Sequence, residues 1–175
     1  PSVYYYMYIH KKQMLTQVNY EVKGQLAKLL ATEDLIIENR KVPTAAFDVE
    51  KRVLTLPMWE KASGTVYDLL VGHEVGHALY TPADMWQKGE FKDVPMSFVN
   101  VFEDVRIERL MKQKFPGLSK TFYTGYSQLA EQDFFEIKDH DIEDLNLADK
   151  INLYYKIGNF TKIQFEDNEK IFVER

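Results

Sequence analysis

The sequence predicts an α+β domain, mainly helical, with a small sheet packed on the helix that carries its most distinctive residues. Three observations predict it. Apolar residues recur at intervals of three and four over several long stretches, as on helices that bury one side. Between residues 45 and 56 two short apolar runs flank a polar turn in the manner of a hairpin. Between these patterns lies "VGHEVGHALY", residues 71 to 80, with two histidines four apart among small and apolar neighbours.

Taken in order, the first helical pattern runs from Lys12 to Ala31, with Leu15, Val18, Val22, Leu26, Leu29 and Leu30 on one side. Leu35-Ile36-Ile37 reads as a short strand. Ala45-Ala46-Phe47-Asp48 and Arg52-Val53-Leu54-Thr55-Leu56 then flank Val49-Glu50-Lys51, and Pro57, which has no N–H to give to a ladder, ends the second run. Thr65 with Asp68 three residues on has the form of a capping box. Val66, Leu69, Leu70, His73, His77 and Tyr80 follow it at helical spacing until Thr81-Pro82 stops the helix.

A polar loop, residues 84 to 95, leads into a helical pattern from Met96 to Lys114 that Phe115-Pro116-Gly117 closes. Ser119 is placed to cap a further helix through Phe122, Tyr126 and Leu129. An acidic stretch from Glu136 to Asp144 precedes a helix around Leu145 to Ile157. The tail, with Ile163, Phe165, Ile171 and Val173 among charges, reads as a strand pair. No internal repeat or low-complexity segment interrupts the order, and the chain of 175 residues is expected to form a single domain, residues 1 to 175. Pro1 stands where an initiator Met would be and Arg175 follows no terminating motif, so the chain is expected to be a fragment of a longer protein.

Composition narrows the function. The formal charge of 22 minus 27, or −5, comes without a long Lys/Arg block, which argues against nucleic acid or a membrane surface as partner. No run approaches the roughly 18 apolar residues of a membrane span, and "PSVYYYMYIHKK" lacks the order of a signal peptide. A cytoplasmic location is expected. Cysteine is absent, so any zinc site must be built from histidine, carboxylate and water.

His73 and His77 meet that requirement. Residues four apart on a helix stand about 5 to 6 Å apart at Cβ, so both imidazoles can address one ion. Glu74, rotated about 100 degrees from His73, can reach a water on the ion instead of the ion itself, where a general base belongs. Gly72 and Gly76 each cost a helix about 1 kcal/mol against Ala, which points to close approach of a neighbouring element. A third ligand is needed, and "FVNVFEDVRIERLMK", residues 98 to 112, supplies Glu103 and Asp104 within a helix. Phe98, Val101, Phe102, Val105, Leu110 and Met111 mark its apolar side, and a carboxylate buried beside them needs a partner such as a metal.

His73-Glu74-Val75-Gly76-His77 followed by a Glu-bearing helix resembles the gluzincin branch of zinc metallopeptidases. "HEVGHALYTP" and "NVFEDVRIERL…FPGL" resemble, more specifically, phage and bacterial zincin domains that precede a von Willebrand factor A domain and are related to a cobaltochelatase subunit. The resemblance covers roughly residues 45 to 125. It implies a zincin-like fold, a Zn2+ cofactor and Glu103 as third ligand, with Asp104 as the alternative. Gluzincins often carry an acidic residue four after the ligand glutamate, whereas Ile107 stands four after Glu103 and Glu108 four after Asp104. Whichever of Asp104 or Glu108 is not bound is expected to hold a histidine ring from outside.

The activity implied is peptide-bond hydrolysis of a peptide or protein substrate: the ion lowers the pKa of its water toward about 7 while Glu74 takes the proton and passes it to the leaving amine. Tyr123 and Tyr126 resemble in kind the downstream tyrosines of some zincins, and Tyr126 is the candidate oxyanion donor, against a plain packing role in a tyrosine-rich chain. The other reading is a catalytically silent, metal-binding adaptor or regulatory module, since the resembled relatives work beside AAA ATPases or a von Willebrand A domain. His140, among carboxylates in "KDHDIED", reads as a solvated surface group. The same cluster lacks the ordered spacing of a calcium loop. His10 is left without a role, and "YYYMY", residues 4 to 8, reads as a packing segment or strand.

Overall fold

The structure, a computed structural model, describes residues 18–85, 91–138 and 141–173. The first helix, α1 (Tyr20–Ala31), starts where the Asn19 side chain accepts from the Val22 N–H, and ends where Thr32 turns left-handed at φ 55°. Three strands follow: β1 (Ile36–Arg40), β2 (Ala46–Asp48) and β3 (Val53–Pro57). They form a sheet of order β1-β3-β2, in which β3 runs parallel to β1 and antiparallel to β2. The predicted hairpin is thus present, and the first strand has added itself to the far side of β3.

The central helix, α2 (Gly64–Tyr80), is capped by Ser63, whose Oγ accepts from the Val66 N–H. The cap therefore lies two residues before the predicted Thr65, and Asp68 is instead ion-paired to Lys23 of α1 at 2.5 Å. Buried residues occupy nearly the whole circumference of α2, from Val66 and Tyr67 to Val75 and Ala78, as befits a helix enclosed by its neighbours. Leu54 and Leu56 of β3 are fully buried in the same core. Tyr67 fastens the sheet to the helix: its hydroxyl donates to the Pro57 carbonyl and accepts from the Trp59 N–H at 2.9 Å.

Helices α3 (Met96–Lys114), α4 (Leu118–Glu131), α5 (Leu147–Ile157) and the short α6 (Asp167–Lys170) complete the fold, with a 3₁₀ turn at Ile142–Asp144. The α+β class and the boundaries of α3 agree with the periodicity. Gly117, not Ser119, stands at the head of α4, and the tail forms α6 in place of a strand pair because Glu166 and Glu169 make a reciprocal capping box. No helix among the described residues is long and apolar enough to cross a membrane. The first part of the long amino-terminal helical pattern, "YYYMY", His10 and His140 lie outside the described residues.

The carboxyl end of α2 is held by two guanidinium groups. Arg52, at φ 57° in the β2–β3 turn, donates to the Ala78 carbonyl at 2.8 Å while its other donors grip Glu33. Arg106 of α3 donates to the Tyr80 carbonyl at 2.7 Å. Cations there satisfy orphan carbonyls and oppose the helix dipole, and they fix the turn of helix that carries His77.

Candidate metal centre

Glycine decides how the site is assembled. A Cβ placed on Gly76 would stand 2.7 Å from Cδ1 of Ile107 and 3.1 Å from Cγ of Met111, so glycine lets α3 lie this close to α2 without displacing those side chains. Gly72 serves α4 in the same way, its missing Cβ facing the Phe122 ring at 3.1 Å. With α3 drawn in, the short side chain of Asp104 reaches the histidine face.

His73 and His77, one turn apart, present ring centroids 5.1 Å from each other. Their Nε2 atoms stand 3.5 Å and 3.3 Å from the same oxygen, Oδ1 of Asp104. Of the two acidic neighbours in α3, the structure brings Asp104 to the imidazoles, and Glu103 is turned elsewhere. The reason is the 100° step between adjacent helical residues. Glu103 is only 4% exposed, as the sequence led one to expect of a ligand, but its partners are Arg106, at 2.7 Å to each oxygen, and the Thr81 hydroxyl at 2.6 Å. A buried carboxylate needs a partner, and here a guanidinium fills that need. Phe102, the neighbour from which burial was inferred, is exposed.

Both outer nitrogens are tied down. Nδ1 of His73 lies 3.0 Å from Glu108, and Nδ1 of His77 lies 2.9 Å from the Thr81 hydroxyl. The Thr81 hydroxyl donates its hydrogen bond to Glu103, so its oxygen accepts from His77. Glu108 accepts a hydrogen bond from the Tyr126 hydroxyl and lies near the Lys112 ammonium. Burial would push the Glu108 carboxyl up, but the bonds from His73 and Tyr126 and the Lys112 charge hold it down, so it is an ionised acceptor. With both Nδ1–H groups donating outward, each ring points its Nε2 lone pair inward.

Two imidazole lone pairs and a carboxylate oxygen thus converge, all within 4.8 Å of one another. Ligands at about 2.1 Å from a tetrahedral ion stand about 3.4 Å apart, which is the spacing of the two Nε2–Oδ1 separations. The donor set therefore fits zinc. Without a cation, the same convergence is relieved by a proton: burial would strip His73, but Asp104 and Glu108 together raise its pKa to about 10. Asp104, despite burial, is held far below the usual carboxylate range by His73, His77 and Lys156.

Compared with family models, curated proteins and solved structures, the chain matches none of them. Function must be read from the side chains.

Glu74 is 7% exposed, and its carboxylate takes part in no hydrogen bond among the described residues, yet no buried side-chain oxygen is sealed off without a partner. It keeps contact with solvent beside the cluster. Burial raises its pKa, and the positive charges of His73 and His77 oppose that rise. Tyr126, the candidate oxyanion donor, is buried, its hydroxyl donates to Glu108 at 2.5 Å, and burial next to that carboxylate pushes its pKa well above 10. Tyr123 is exposed and rests on Phe160. Thr81 stands four residues beyond His77, the ring it serves, a spacing visible in the sequence, whereas Glu108, four beyond Asp104, serves His73 across the seam. Lys156, which donates to Oδ2 of Asp104 at 2.9 Å, arrives from α5, and no local pattern announces it.

Proposed function

We infer that the chain is a zincin-like, zinc-dependent hydrolase of peptide bonds, with His73, His77 and Asp104 holding the ion. One observation carries the reading: a nearly buried carboxylate with no hydrogen bond among the described residues, Glu74, sits beside two imidazoles and an aspartate whose inward lone pairs are spaced for a tetrahedral cation. A centre that only stiffened the fold would have no use for Glu74. When bound, the ion supplies Lewis acidity toward a substrate carbonyl and acidifies water. With the ion held there, Glu74 would be the group to accept a proton from such a water and to deliver it to the leaving nitrogen, and burial suits it by making its carboxylate a stronger base than an exposed one. Glu108 and Thr81 keep the rings in the tautomer that offers Nε2. Arg106 and Glu103 hold Thr81, and Tyr126 and Lys112 hold Glu108.

The deciding experiment is Glu74→Gln with zinc content and cleavage of a mixed peptide library measured together. Equal zinc with hydrolysis reduced by about 10²- to 10⁴-fold is the expected result. Zinc in the wild type with no cleavage of any peptide would favour the second reading, a metal-holding adaptor for a partner such as an AAA ATPase or a von Willebrand A domain. That reading draws on the open apolar groove of about 740 Å³ lined by Met85, Phe91, Val94, Phe98, Phe102 and Phe172. The groove shares Glu103 with the outer shell of the centre, so it can equally receive the apolar part of a polypeptide substrate.

A further inference from the structure

Lys156 occupies a position with no place in the two-histidine, one-carboxylate scheme. It stands on α5, an element separate from those that carry the ligands, and its Nζ lies 2.9 Å from Oδ2 of Asp104. The lysine side chain is 17% exposed and the aspartate side chain 21%, so the pair is largely withdrawn from the solvent that weakens surface ion pairs. The carboxylate is shared between the two sides: Oδ2 lies against the ammonium, and Oδ1 lies against both imidazoles.

We propose that Lys156 is a positioning residue of the metal centre, keeping Asp104 to a single ligand oxygen and offsetting its charge. The proposal rests on the metal reading given above. A free aspartate can turn both oxygens to a cation, and doing so would consume a coordination position. A catalytic zinc keeps such a position open. Tied to Lys156 through Oδ2, Asp104 offers Oδ1 only. The ammonium also cancels the one formal negative charge among the ligands, since both imidazoles bind as neutral rings. The cation then keeps more of its own charge for whatever occupies the open position.

A plain structural role, pinning α5 to α3, would leave the coordination number untouched, and cobalt distinguishes the two. Co2+ can take the place of zinc, and four-coordinate cobalt absorbs visible light several-fold more strongly than five-coordinate cobalt. Titrated with Co2+ alone, wild type and K156R are expected to give the strong four-coordinate bands. K156M, and K156Q at a smaller packing cost, are expected to give the weaker five-coordinate spectrum. Their affinity for cobalt should rise by roughly tenfold, the scale on which outer partners of ligands act. Far-ultraviolet circular dichroism verifies that each variant is folded. Unchanged bands, or weaker cobalt binding, in a folded K156M or K156Q overturn the proposal. Absence of cobalt binding in the wild type overturns it together with the metal reading. Absence of peptide cleavage alongside the spectral change removes only the hydrolase reading and leaves Lys156 its role.

Discussion

Helix α2 has two sealed faces, and they are sealed for different purposes. Toward α4 the closures are Gly125 against Leu69 and Gly72 against Phe122, and the contact is apolar apart from the bond between Ser63 and Gln128 at its edge. Toward α3 the closure is Gly76 against Ile107 and Met111, but the same seam holds His73, His77, Asp104 and Glu108. The α4 face is complete as it stands. On the α3 face three lone pairs meet, and only a cation or a proton can reconcile them. Close helix packing is therefore a means in one place and an end in the other, and glycine by itself does not say which.

The widest separation between the faces should come from the adjacent carboxylates of α3. Asp104→Asn is expected to abolish zinc retention after gel filtration, because the inward oxygen loses its charge. Glu103→Gln, acting through Thr81, should weaken zinc by about 10- to 100-fold and leave it measurable by competition with a chelator. Retention in the aspartate variant and loss in the glutamate variant would reverse the assignment made from the geometry.

Removing the metal should then expose the α3 face through its pH dependence. The raised pKa of His73, about 10 against an ordinary 6.5, means that its stabilising contribution is complete below pH 6.5 and is lost as pH rises through 10. Glu74, raised by burial from 4.5, works in the same direction, losing stability as it ionises. Asp104 and Glu108, held below their ordinary 3.8 and 4.5, lose their contributions only in acid and stay constant across this window. The denaturant midpoint of the metal-free protein should therefore fall between pH 6.5 and 10, while the zinc-loaded protein, from which that proton has been displaced, holds its midpoint. Parallel curves for the two forms would show that zinc and the His73 proton do not compete.

How far the sequence carried depended on whether a feature is local. The helices from Gly64 to Tyr80 and from Met96 to Lys114 were legible because apolar spacing, caps and prolines act within a few residues. His73, Glu74 and His77 were legible because one helical turn fixes their relation. The choice between Glu103 and Asp104 was not, since it depends on which rotation of α3 faces α2, and burial, the criterion applied, is met by both a ligand and a salt-bridged carboxylate. Residue spacing held better information than hydropathy: Asp104 and Glu108 repeat the interval of His73 and His77, so two matched pairs face each other across the seam. The role of Lys156 depends on α5 folding back over α3, which nothing near residue 156 encodes. The tail failed for the opposite reason, since a local capping box outweighed a faint alternation.

The smallest and most discriminating test compares alanine at the two closures. Gly125→Ala would set a Cβ 2.7 Å from Cδ1 and 2.9 Å from Cβ of Leu69, and a Cβ cannot rotate away. The helix itself gains about 1 kcal/mol from replacing glycine, but overpacking a core costs typically about 1 to 3 kcal/mol, so a net loss is expected, with zinc affinity unchanged. At Gly76 the nearest atom is the mobile end of Ile107, so Gly76→Ala should lose less stability. What yields there, however, is the seam that carries Asp104, three residues from Ile107, and ligand spacing tolerates only tenths of an ångström. Gly76→Ala should therefore bind zinc more weakly despite being the more stable of the two variants. Urea midpoints and zinc affinities measured side by side check this inversion, and if the two quantities fall together in both variants, the faces of α2 differ in composition but not in what they hold.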